Sequence, residues 1–150
     1  MAWLHCTTLA AFLGIAAAWD MRHRRIPNAV AGGFTAAALA LAAVSGGTTA
    51  ALTGLVLAFG LLVGPFAGGY LGAGDVKFFA GVGAFLGPRL TLCAFLLASV
   101  WGALVVAAAH RERLAAVVSH VDARGIPYAV PLALGTASAL LLEWMGHPLL

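Results

Sequence analysis

Only five of the 150 residues are acidic: Asp20, Asp75, Glu112, Asp122 and Glu143. A charged side chain at the centre of an apolar helix costs about 2.5–3.5 kcal/mol on insertion scales, so an acid beside an apolar run needs a reason. Two stand out. Asp20 closes an apolar run in "AAAWDMRHRRIPN", and Asp75 opens another in "GAGDVKFF". Two carboxylates brought close do not readily both ionise; they share one proton and titrate as a unit. Such a pair can hydrolyse a peptide bond. One carboxylate takes a proton from water while the other, protonated, polarises the carbonyl. The small residues Gly72, Ala73 and Gly74 leave the backbone near Asp75 uncrowded, so an extended peptide could approach there. Structural roles compete with this chemistry. Asp75 could cap the helix that follows, since Asp is a preferred N-cap. Asp20 could balance the arginines beside it, and Lys77, Arg22, Arg24 and Arg25 read as positive anchors at a membrane face.

Other chemistries find little support. His5, His23, His110, His120 and His147 are scattered and form no HExxH, and Ser45, Ser99, Ser119 and Ser138 lack a GxSxG context. Cys6 and Cys93 sit in apolar runs with no CxxC pair. A zinc site or disulfide framework is therefore not expected, and each cysteine reads as a small buried hydrophobe.

The elements that must bring Asp20 and Asp75 together follow from composition. Hydrophobic residues make up 63% of the chain and charged residues 9%, against roughly 25% charged in a soluble domain. The natural solvent is therefore a bilayer. The net charge of +3 does not argue for nucleic acid, because the arginines fall in short clusters between apolar runs. Apolar spans are expected at 3–19, 29–44, 50–71, 76–87, 90–109 and 127–145. The fourth is short, about 18 Å at 1.5 Å per residue. Joining it to the fifth would give a helix of about 51 Å, beyond a hydrocarbon core of about 30 Å. Six separate spans with the N-terminus outside put Arg22, Arg24, Arg25, Lys77, Arg111, Arg113 and Arg124 in inner loops and Arg89 alone in an outer one, as the positive-inside rule requires. The expected fold is thus an all-α integral membrane protein. Residues 1–150 form one domain, a six-helix transmembrane bundle with both termini outside. The basic residues follow the first apolar run, which suits a retained span better than a secretory signal.

Three further patterns bear on this bundle. In the inner loop, Leu114, Val117, Val118 and Val121 share one helical face, so a helix lying along the membrane surface is expected there. Gly60, Gly64, Gly68 and Gly72 recur every four residues. They make a smooth stripe for close helix approach, read first as packing within the chain and second as a homodimer seam. "RIPNAV" at 25–30 and "GIPYAV" at 125–130 echo each other, each with a proline suited to a first helical turn.

The segment "GAGDVKFFAGVGAFLG" at 72–87 resembles the GxGD segment of the type IV prepilin peptidases, and "WDMRHRRIPN" at 19–28 resembles their first catalytic segment. "GIPYAVPLALG" at 125–135 is similar to the proline-bearing last helix of that family. The resemblance implies an aspartic endopeptidase of the bacterial inner membrane. It would remove the basic leader of pilins and pilin-like proteins at the cytoplasmic face, after a glycine and just before the apolar helix. Asp20 and Asp75 would be its catalytic pair, without metal or cofactor. Gly72 and Gly74 would shape the loop, and Lys77, Pro27 and Asn28 would bind substrate or shape the site. The partners implied are a prepilin substrate and membrane lipid, with a homodimer through Gly60, Gly64 and Gly68 as a further expectation. Large family members also methylate the new N-terminus and carry a cysteine tetrad in the first inner loop. Here that loop runs only from about Asp20 to Asn28 and has no tetrad, so methyl transfer is not expected. The short form resembles the peptidases of tight-adherence pilus systems. Two alternatives stay open: another GxGD membrane protease, and a non-catalytic transporter or assembly subunit.

Overall fold

The computed structural model describes residues 2–23, 27–69, 71–113 and 129–146. Among these the chain is all helical: α1 (Ala2–His23), α2 (Asn28–Ser45), α3 (Thr48–Ala67), α4 (Ala73–Arg113) and α5 (Ala129–Trp144). Glycine sets the α2–α3 turn. Gly46 takes φ +75°, a left-handed conformation that costs glycine little, and the Gly47 N–H donates back to the Ala42 carbonyl at 2.8 Å.

Helix α4 is not one rod. Gly87 has φ +73° and ψ 174°, outside helical space, and Pro88 follows it without a backbone N–H to restore the ladder. The rings of Phe79 and Phe95 lie 6.3 Å apart, whereas a straight helix would separate those residues by about 24 Å. The chain therefore doubles back at Gly87, leaving a first arm at 73–86 and a second arm at 88–113. The described residues thus form five helices, the fourth folded back on itself at Gly87, where the sequence reading expects six spans.

The first arm is the centre of the bundle. Val76, Phe78, Phe79, Val82 and Ala84 are each at most 4% exposed, as suits a helix that is apolar all round. Helix α3 runs antiparallel to it. A Cβ on Gly54 would strike the Gly83 carbonyl, and one on Gly83 would strike the Gly54 carbonyl and Ala58. Helix α2 runs parallel to it, with Asn28 at Lys77 and Phe34 stacked on Phe85 at 4.4 Å. Phe12 of α1 stacks on both Phe34 and Phe78, so one aromatic cluster ties α1, α2 and the first arm. Helix α5 lies antiparallel to the second arm. Gly135 packs against the backbone at Ala94 and Ala98, and Arg89 donates to Glu143 at 3.2 Å.

Among the described residues three stretches are by length and composition apolar enough to cross a membrane: Asn28–Ser45, Thr48–Ala67 and Ala73–Val105, the last folded back at Gly87. Their outward side chains agree with a lipid solvent, for Leu52, Val56, Phe59, Val63 and Phe66 on α3 are all at least 40% exposed. Helix α5, with 16 residues, is shorter than a full span of about 20.

The glycine stripe on α3 faces the other way from the first expectation. Among the described residues no atom lies within 4 Å of a Cβ built on Gly60 or Gly64, so these glycines make no close packing with them. The buried stripe is Ala51, Gly54, Ala58 and Leu62. Gly60 is two residues beyond Ala58, about 200° around the helix. The expected surface helix at Leu114, Val117, Val118 and Val121, and the "GIPY" part of the second proline motif, lie outside the described residues.

Candidate active site

Pro27 and Asn28 start α2. Pro27 is extended at φ −60° and ψ 134°, and its carbonyl accepts from the N–H groups of Val30 at 3.0 Å and Ala31 at 3.2 Å. That opens the helix without a side-chain cap and leaves Asn28 exposed in the first turn. The Asn28 Oδ1 then accepts from Lys77 Nζ at 2.9 Å. This bond joins the end of the "DMRHRRIPN" segment to the "GAGDVKFF" segment, 49 positions away in sequence.

Asp75 is fixed by the start of α4. Gly72 stands at the N-cap position, its carbonyl accepting from the N–H groups of Asp75 at 3.1 Å and Val76 at 3.4 Å. Asp75, in the first helical turn, turns its Oδ2 back to accept from the Gly72 N–H at 3.2 Å. This is the return half of a capping box. The sequence alternative, Asp75 as a cap, is therefore present in altered form. The helix begins before Asp75, at Ala73, so the carboxylate serves from the third helical position. A negative group in a first turn also sits favourably at the positive end of the helix dipole.

Gly72 lacks a side chain at a place where one would matter. A Cβ there would stand 3.3 Å from the Asp75 Oδ2. Gly74 lies inside the first turn of α4, half-buried, rather than in the loop before it. Behind these residues Val76, Phe78 and Phe79 anchor the arm in the core, so the half-buried Asp75 stands at the end of a held helix. Lys77 is exposed and two positions on from Asp75, which puts the two on different helical faces. Its ammonium donates to the Asn28 amide oxygen.

Asp20 lies in the last turn of α1, three residues before His23, beside the 43%-exposed Trp19. Its place along the bundle follows from the aromatic cluster. Asp20 is eight residues beyond Phe12, about 12 Å along the axis, and Asp75 is three residues before Phe78, about 4.5 Å. Both displacements point to the same end of the bundle, since α1 leads into Asn28 by a short connection and Asn28 meets Lys77. We call this the motif end. Arg24, Arg25 and Ile26 lie outside the described residues.

Sequence reasoning missed the phenylalanines that set this register. Phe12 and Phe34 flank the first motif and Phe78 lies within the second. Only their closeness to the two acids hinted at it. Among the described residues no three His, Cys, Asp or Glu side chains gather as metal ligands would.

The arrangement offers a carboxylate at a helix start, a second acid carried to the same end, and a polar tie between the segments that bear them. The model of the type IV leader peptidase family matches residues 7–107, which takes in both segments. Neither the curated proteins nor the solved structures give a match.

Proposed function

The chain belongs to the type IV leader peptidase family, and from that membership we propose that it is a prepilin peptidase in which Asp20 and Asp75 are the catalytic pair. The family makes it a protease, with a pilin-like precursor as the kind of substrate to expect. The observation that carries the finer reading is the Lys77–Asn28 bond, which draws the two acid-bearing segments to one end of the bundle.

In the proposed reaction one aspartate, as carboxylate, takes a proton from a water molecule, and the water oxygen adds to the scissile carbonyl carbon. The other aspartate, protonated, donates a hydrogen bond to the carbonyl oxygen. Collapse of the adduct breaks the C–N bond, and the departing amine takes up a proton from the pair. Leader carboxylate and mature amino terminus separate, and the pair keeps one proton for the next cycle.

The motif end faces the cytoplasm of the inner membrane in this proposal, since Arg22 and Lys77 lie there and Arg89 lies at the other end. The apolar helix of the substrate docks from the lipid, with the bond to be cut at the membrane surface. Methyl transfer is not part of the proposal, because the connection between α1 and α2 is too short to hold a further domain. Self-association through Gly60, Gly64 and Gly68 stays within it, since Gly60 and Gly64 face open space.

Co-expression with pilin precursors tests this reading. The expected result is a shortened product cut after the glycine that precedes the apolar helix, with no methyl label taken up from S-adenosylmethionine. A panel of such precursors left at full length would contradict it.

A further inference from the structure

The lysine of "GAGDVKFF" reads at first as a positive anchor at the membrane face. The geometry points to another use: we infer that Lys77 and Asn28 are a positioning pair that holds the segments of Asp20 and Asp75 in register for cleavage. This rests on the peptidase reading above. Each member stands on a fixed base. Asn28 is in the first turn of α2, behind a proline whose carbonyl is held by Val30 and Ala31. Lys77 is on the first arm of α4 between Val76 and Phe78, which are 4% and 0% exposed.

The bond adds a polar tie at the motif end of the bundle. Phe12, Phe34 and Phe78 tie α1, α2 and α4 further in. At the motif end Asn28 and Lys77 are exposed, and their 2.9 Å bond is a cross-link there between the two segments. Asp20 and Asn28 are eight positions apart in sequence, so the bond at Asn28 acts on the segment that carries Asp20. The partner chemistry also fits a positioning role. An amide oxygen accepts from the ammonium without adding a third carboxylate beside the two that must share a proton. A mere anchor needs only the positive charge of Lys77, and any residue would serve at position 28.

The test uses the full-length protein in liposomes with a pilin precursor. Asn28→Ala and Lys77→Met should each lower kcat by about 10- to 100-fold, the scale of small misplacements at a reacting centre, with KM changed less than about twofold. The double variant should be no slower than the slower single one, because both remove the same bond. Asn28→Gln, which keeps a neutral amide acceptor, should recover part of the rate lost in Asn28→Ala. Losses that multiply in the double variant, a change in KM alone, or Asn28→Gln as slow as Asn28→Ala would each overturn the inference. A readout independent of cleavage separates it from the peptidase reading. Spin labels at the exposed positions Arg22 and Ala73 should give a broader distance distribution in Asn28→Ala and a narrower one in Asn28→Gln. An unchanged distribution in Asn28→Ala would overturn the inference even if the protein cleaves pilins.

Discussion

A single carbon atom at position 72 decides how freely the Asp75 carboxylate can stand. Gly72 donates its N–H to that carboxylate, and a Cβ would come within 3.3 Å of the same oxygen. Gly72→Ala should therefore push the carboxylate by a few tenths of an ångström and weaken the cap, since alanine is a poor N-cap residue. We expect cleavage to slow by roughly tenfold and helix stability to fall by about 0.5–1 kcal/mol, read from initial rates and from thermal unfolding in detergent. Parental rates would contradict the role given to Gly72. At this scale the residue types at 20 and 75 were legible, because acids are so rare in this chain. The position of Asp75 within its helix was not. Two glycines before an acid read as a loop, but the core side chains Val76, Phe78 and Phe79 draw the helix back to Ala73. Tertiary packing there outweighs the low helix propensity of glycine.

At the scale of elements, close approach is made by glycines that the four-residue stripe did not point to. Gly54 and Gly83 let α3 and the first arm of α4 touch backbone to backbone, and Gly135 does the same for α5 and the second arm. Gly83→Leu must separate two helices and should cost about 2 kcal/mol or more. Gly60→Ala meets open space and should be neutral or stabilising by up to about 1 kcal/mol from helix propensity. Melting both variants in the same detergent checks the contrast; equal effects would contradict the packing described. Repetition every four residues shows that glycines share a face, but says nothing of which face meets the bundle. That is fixed by the larger neighbours, and on α3 the face of Ala58 and Leu62 wins. The break between the fourth and fifth spans was legible for a firmer reason. One helix through both would be about 51 Å long, and the chain breaks it with Gly87 at positive φ followed by Pro88.

For the molecule as a whole, composition and charge distribution were the most readable features. Apolar runs with short basic punctuation imply a lipid solvent, and among the described residues three stretches are long and apolar enough to cross it. The convergence of distant segments was less readable, since it depends on the Phe12–Phe34–Phe78 cluster and the Lys77–Asn28 bond between separate helices. The same charge pattern makes a claim about substrate. The chain has eight Lys and Arg against five Asp and Glu, so it offers a basic leader little net attraction. Replacing leader lysines by neutral residues should change cleavage by less than about threefold, whereas replacing the glycine before the cut should abolish it. A near-complete loss on neutralising the leader would show that charge steers binding.

The central claim is that Asp20 and Asp75 act as one catalytic pair. Asparagine keeps the size and polarity of each side chain but cannot shuttle the proton. The most direct measurement is leader removal by the parent, Asp20→Asn and Asp75→Asn proteins, reconstituted at equal amounts in liposomes. The account predicts that both variants accumulate in the membrane like the parent and that each alone leaves the precursor uncut. Cleavage at the parental rate by either variant would contradict it.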